Sequence, residues 1–219
     1  MSSLDAHPLQ LWYWKIPGRA SLPYVLLKTA KLPVFFSDAE AEAESFKEVA
    51  PFGQVPLLFD QEHQVVMAQS AGIAVYAARL AGLDGGADLR VYSQVLQYIE
   101  LEAELSSFLG KAFYTGAAGS PERTAAWDEA KKKIDIKLQR VVANLGANPW
   151  LVSGASSASA ADFALATALW LLSQPDLWPT LREEYPALAA HSDRLLYAYP
   201  AAAEVYAEMN AWEAYYKRS

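Results

Sequence analysis

Hydrophobic positions in the first third of the chain switch between two periods. Leu9 to Trp14 is a short aromatic and apolar run ended by Pro17-Gly18, and it reads as a strand. From Ala20 to Ala30 the residues Leu22, Tyr24, Val25, Leu26, Leu27 and Ala30 fit a helix packed on one face. Leu32 to Phe36 is a second strand, and the Ala- and Glu-rich stretch from Ala39 to Val49 is helical or irregular. Val55 to Phe59 predicts a strand, Asp60 to His63 a turn, Gln64 to Ala68 the hairpin partner and Ser70 to Ala81 a helix. The sum is a small mixed sheet with helices on its faces.

The character changes between Gly82 and Gly86, where glycines and Asp84 mark a turn or linker. Beyond it the spacing is helical throughout: Leu89 to Gly110, Arg123 to Leu145, Asp162 to Leu172, Leu181 to Tyr185, Ala187 to Tyr197 and Ala201 to Tyr216. The expected organisation is an α/β domain over residues 1–84 and an all-helical bundle over 85–219. Ser159-Ala160-Ala161-Asp162 has the spacing of a capping box, in which Asp162 reaches back to the Ser159 amide.

Composition narrows the chemistry. The 219 residues carry a net charge of -7, which argues against nucleic acid or an anionic membrane as partner. The run Lys131-Lys132-Lys133 is flanked by Asp128, Glu129 and Asp135 and reads as a solvated helix face. There are no cysteines, so disulfides, thiolate metal sites and cysteine nucleophiles are excluded, and thiol chemistry requires a thiol brought by a substrate. No metal site is expected. The first ten residues lack a signal-peptide pattern and no stretch is long and apolar enough to span a bilayer, so a cytoplasmic location is expected.

Three segments are candidates for a site. Pro56 begins an apolar strand, where the missing amide hydrogen confines proline to an edge or first position; a cis Val55-Pro56 bond there would present the Val55 backbone to an extended peptide. Gln69-Ser70 precedes a helix whose N-terminal amides suit a carboxylate. Tyr13, ending the first strand, and Arg19, opening the first helix, fall at one sheet edge. Taken singly, each admits an ordinary structural reading: an edge proline, a helix cap, a packed aromatic, a solvated arginine.

Together, in this order, they resemble the thioredoxin-like N-terminal domain of the glutathione transferases. Tyr13 with Gly18-Arg19-Ala20 is similar to the tyrosine and GRA segment of the sigma, alpha, mu and pi classes, sigma most of all. Pro51-Phe52-Gly53-Gln54-Val55-Pro56-Leu57 resembles the family segment that carries a cis proline. Gln69-Ser70, Ile73-Ala74 and Tyr76-Ala77-Ala78 resemble the helix that follows it. Ser159 to Asp162, Tyr185-Pro186-Ala187-Leu188, Asp193-Arg194 and Pro200 resemble the helical domain, so the likeness runs from Leu9 to the end of the chain.

The resemblance implies glutathione as co-substrate. Tyr13 would donate a hydrogen bond to its thiolate and Arg19 would favour both anions by its charge. Lys47, Gln54, Val55, Pro56, Gln69 and Ser70 would bind the tripeptide. The thiolate would attack a small apolar electrophile held by Trp14, Ile16, Phe108, Phe113 and Tyr114, with Trp212 or Tyr215 as cover. A homodimer is implied, as is a role in detoxification. A glutathione-dependent isomerase, a peroxidase and a non-catalytic structural or assembly protein of the same fold are the alternatives. Three departures from the family pattern stand out: Ser21 replaces an acidic residue after the GRA run, Ala43 an aromatic, and the acidic residue lent across the dimer has only Gln97 near its place.

Overall fold

The computed structural model describes residues 7–39, 49–117, 119–174 and 177–212. Four strands form one sheet in the order β2-β1-β3-β4: β1 (Leu9–Tyr13), β2 (Val34–Asp38), β3 (Leu57–Asp60) and β4 (Val65–Ala68). Strand β1 runs parallel to β2, with Leu9 opposite Val34 and Tyr13 opposite Asp38. It runs antiparallel to β3, which pairs with β4 as a hairpin. The parallel pair needs a crossover, supplied by α1 (Ser21–Thr29). Helix α2 (Ser70–Leu80) follows the hairpin.

Strand β1 is buried on both faces, which is why its sequence reads as a continuous apolar run. The period of two sorts its side chains. Leu9, Leu11 and Tyr13 join the main core with Leu22, Val25 and Leu26 of α1, while Trp12 joins a separate cluster with Leu57, Ala68, Ala39 and Ala50. Gln10 is also enclosed on that second side, where its Oε1 accepts the Trp12 indole N–H at 3.0 Å.

From Leu89 onward the described elements are helices: α3 (Leu89–Phe113), α4 (Pro121–Leu145), α5 (Ala160–Leu172), α6 (Leu181–Glu184), α7 (Pro186–Ala198) and α8 (Pro200–Asn210). Helix α3 is capped by Asp88, whose side chain accepts the Arg90 and Val91 amides. Helix α4 begins earlier than the apolar spacing predicts, because Ser120 caps it and Pro121 fits its first turn. Helix α5 is buried almost all round and forms the axis of the bundle.

The Ser159–Asp162 capping box is present and extends further than its spacing indicates. Asp162 is fully buried and accepts from the Ser159 amide, the Leu151 amide and the ring of His191, each at 2.8 Å. One carboxylate thus ties the start of α5 to a loop and to α7. One apolar cluster runs from β1 to Met209 of α8, and the Ala160 amide donates to the Leu83 carbonyl at 2.9 Å, so the sheet and the helices share a core.

Candidate active site

Tyr13 lies at the end of β1, on the face turned toward α1 and the helical bundle, and is 5% exposed. Its hydroxyl accepts the Arg19 backbone amide at 3.3 Å. Among the described residues nothing takes the hydroxyl's own proton, which is therefore available to a ligand. Burial pushes the phenol up to about 12, against the Arg19 amide, which pulls it down. The group is a neutral hydrogen-bond donor at physiological pH.

The turn that supplies the Arg19 amide is built closely around the phenol. A Cβ on Gly18 would meet the Tyr13 hydroxyl at 2.8 Å. Ser21 is buried and closes the turn: its Oγ accepts the Gly18 amide at 3.0 Å, while its own amide donates to the Gly18 carbonyl at 2.9 Å. The Arg19 side chain crosses to α3, where it donates to Ser107 Oγ at 2.8 Å.

Two cavities meet at Arg19. The polar one, about 590 Å³, is lined by Trp14, Arg19, Gly53, Gln54, Val55, Pro56, Gln69 and Ser70. The Val55-Pro56 bond is cis. Gln69 Nε2 donates to Gln54 Oε1 at 3.4 Å, which joins the two segments across the cavity. Helix α2 begins at Ser70 itself, one residue earlier than expected for a serine cap, so Gln69 is the cap residue. The Gln69 side chain makes no capping bond, so it leaves the amides of the first turn for another acceptor. Gln69 holds φ at 75°, an uncommon conformation for a long side chain and one concentrated at ligand sites.

The second cavity, about 530 Å³, is lined by Tyr13, Ile16 and Gly18 from the sheet side, Leu109, Phe113 and Tyr114 from α3 and its end, and Leu171 and Leu177 beyond. Ser106 and Ser107 stand between the apolar walls and Arg19. Ser106 donates to Glu102 Oε1 at 2.7 Å, and burial pushes that carboxyl up to about 7 despite the serine and Arg19. The Tyr13 hydroxyl, on the apolar cavity, is tied to Arg19, a residue that lines both cavities.

The expected residues divide by geometry. Tyr13, Ile16, Phe113 and Tyr114 line the apolar cavity together. Trp14 lines the polar cavity instead, because the strand period that turns Tyr13 inward turns its neighbour away. Phe108 is absent from both linings: it lies two residues from Ser106 and from Gly110, close to the opposite side of a helix from each, and Lys133 Nζ sits over its ring at 5.7 Å. Trp212 packs on Tyr24 and Phe36, with ring centroids 5.7 and 4.6 Å apart, and covers α1 and β2 rather than the cavity. Lys47, Ala43 and Tyr215 lie outside the described residues.

Sequence reasoning missed Ser106, Ser107, Leu171, Leu177 and Glu102. Only Glu102 left a signal, as an acidic residue in an otherwise apolar helical stripe with Val95, Tyr98, Ile99 and Leu105. Among the described residues no group of acidic or histidine side chains is arranged to hold a metal, and no helix is long and apolar enough to cross a membrane.

Residues 124–194 match the family model of the glutathione S-transferase C-terminal domain. No curated protein matches the chain in sequence. Among solved structures, the glutathione transferase URE2P6 from Phanerochaete chrysosporium, in complex with oxidized glutathione, is 21% identical with a TM-score of 0.80, over 95% of this chain and 99% of that one. A glutathione S-transferase from Methylobacillus flagellatus with glutathione bound is 18% identical with a TM-score of 0.75, over 90% and 98% of the two chains. The glutathione S-transferase from Ascaris lumbricoides is 22% identical with a TM-score of 0.73, over 92% and 97%. The chain thus has the fold of these glutathione transferase structures over nearly its whole length, and part of its helical half matches the family model of their C-terminal domain.

Proposed function

We propose that the protein is a glutathione transferase of the tyrosine type, joining the thiolate of glutathione to small apolar electrophiles. One observation carries the reading: a buried, protonated phenol with an unspent proton, held by the Arg19 amide at the junction of a polar and an apolar cavity. Residues 1–84 supply the tripeptide side and residues 85–219 most of the electrophile side. Glutathione lies in the polar cavity, its γ-glutamyl carboxylate at Gln69 and the first turn of α2, and its cysteinyl backbone beside Val55.

A free thiol has a pKa near 8.5, so little of it is ionised at neutral pH. A hydrogen bond from Tyr13 and the charge of Arg19 both favour the thiolate, and lowering its pKa by about two units represents roughly 2.7 kcal/mol. The thiol proton leaves to solvent. With an aryl chloride, the sulfur lone pair then forms the new carbon–sulfur bond and chloride departs with its bonding pair. The functional unit is a homodimer, a reading supported by Phe52, 65% exposed beside the polar cavity, and by Ile136, 62% exposed on the groove between α3 and α4.

The test is retention on immobilised glutathione followed by turnover of an activated aryl chloride. Retention with turnover is expected. Retention with no turnover of several electrophiles would replace the enzyme by a glutathione-binding structural protein.

A further inference from the structure

The apolar cavity carries a charge pattern opposite to that of the molecule. The chain has a net charge of -7, yet among the described residues the lining of this cavity includes Arg19 and Lys111 and no acidic side chain. Arg19 is turned toward Ser107 at the polar junction. Lys111 stands in the last turn of α3, between Gly110 and Phe113 on the lining, and makes no ion pair among the described residues. Glu129, which feels its field, is held by Lys133 Nζ at 2.6 Å. Arg123, behind this rim over the Phe113 ring at 5.2 Å, is bonded to the carbonyls of Thr115 and Gly116 rather than to a carboxylate.

The polar neighbours reinforce the pattern. The protons of Ser106 and Ser107 are committed, to Glu102 and to the Ala103 carbonyl, at 2.7 and 2.9 Å. Apolar side chains share the lining with Arg19 and Lys111: Ile16, Leu109, Phe113, Leu171 and Leu177. A ligand here meets hydrocarbon and, among the described residues, a lysine on the lining that makes no ion pair.

Resting on the proposed transferase activity, we propose that the favoured second substrate is an anionic amphiphile: an electrophile with an apolar body and a carboxylate that pairs with Lys111. Neutral electrophiles fill the same cavity without that contact. Lys111 thus sets specificity at a distance from the reacting sulfur. A lysine in the last turn of a helix also complements the helix dipole, but that role is blind to the charge of the substrate.

The experiment compares two activated aryl chlorides, 4-chloro-3,5-dinitrobenzoate and 1-chloro-2,6-dinitrobenzene, which differ by one carboxylate. The readout is the ratio of their kcat/KM values for the parent, Lys111→Gln and Lys111→Glu at low and high salt. The parent is expected to favour the benzoate relative to the rates of the two chlorides with free glutathione. Lys111→Gln is expected to cut that preference about fivefold, Lys111→Glu to cut it further, and salt to narrow it in the parent alone. A ratio that is the same in all three proteins would overturn the role of Lys111 while leaving the transferase reading intact. Turnover of neither chloride would count against the transferase reading itself.

Discussion

Gly18 is the position at which a single added methyl group tests the geometry of the phenol. Its ideal Cβ would lie 2.8 Å from the Tyr13 hydroxyl, 3.4 Å from Cε1 and 3.5 Å from Cζ. The ring contacts are ordinary, so the collision is with the oxygen. To restore van der Waals contact the hydroxyl must retreat by roughly 0.6 Å. Tyr13 is buried, leaving little room to slide, and its bond to the Arg19 amide, already 3.3 Å, would lengthen beyond hydrogen-bonding range. A hydrogen bond to a charged partner contributes about 1.5–3 kcal/mol, so its loss corresponds to a fall of roughly 10- to 100-fold in kcat/KM. The expected result for Gly18→Ala is a drop of that size with glutathione KM close to the parent's. Combined with Tyr13→Phe, the alanine should cost little more, because both changes remove the same interaction. Steady-state kinetics on the four proteins of this cycle are sufficient. An alanine variant as active as the parent, or losses that simply add, would refute the reasoning.

Three further outcomes are expected. Glu102 has a folded pKa raised from 4.5 to about 7, so the folded state binds the proton more tightly than the unfolded state, and stability falls as pH rises through that window. Glu102→Gln, which keeps an acceptor for Ser106, should therefore increase the unfolding free energy more at pH 8 than at pH 5, by a difference on the order of 3 kcal/mol, read by calorimetry; equal changes at both pH values would show that the carboxyl is not strained by burial. Asp162→Ala strands two buried amides and should lower stability by about 3–5 kcal/mol in denaturant unfolding, where a loss under 1 kcal/mol would mean the network is not structural. Ser70→Ala should raise glutathione KM by about tenfold with kcat little changed, and an unaltered KM would remove Ser70 from the tripeptide site.

The fold was legible wherever local pattern and tertiary environment agree. The helical spacing beyond Gly86 matches helices α3 to α8, most of which bury one consistent face. Strand β2 begins at Val34 rather than Leu32, since parallel pairing with β1 sets its register and apolar content does not. The capping box was legible because Ser159 and Asp162 are three residues apart; His191, 29 residues on, shares that carboxylate through packing alone.

The candidate site was legible in part for a related reason. Tyr13, Arg19, Gln54 to Pro56 and Gln69-Ser70 sit in short motifs whose spacing carries information. The apolar cavity is assembled from distant helices, and there the outcome depends on rotation about a helix axis. Phe108 and Phe113 look equivalent as aromatics, yet only Phe113 falls on the side with Ser106 and Gly110. Trp212 is a large aromatic near the end of the described chain, and its place on Tyr24 and Phe36 is set by where α8 lies against α1. Leu171 and Leu177 look like ordinary bundle residues, and only their neighbours make them cavity walls.

The most direct measurement is a pH titration of glutathione bound to the parent and to Tyr13→Phe, followed by the ultraviolet absorbance of the thiolate. The parent should titrate about two units below a free thiol, and the variant should return most of the way to the free value. Bound glutathione that ionises like the free tripeptide in the parent, or an equal lowering in both proteins, would contradict the assignment of that phenol.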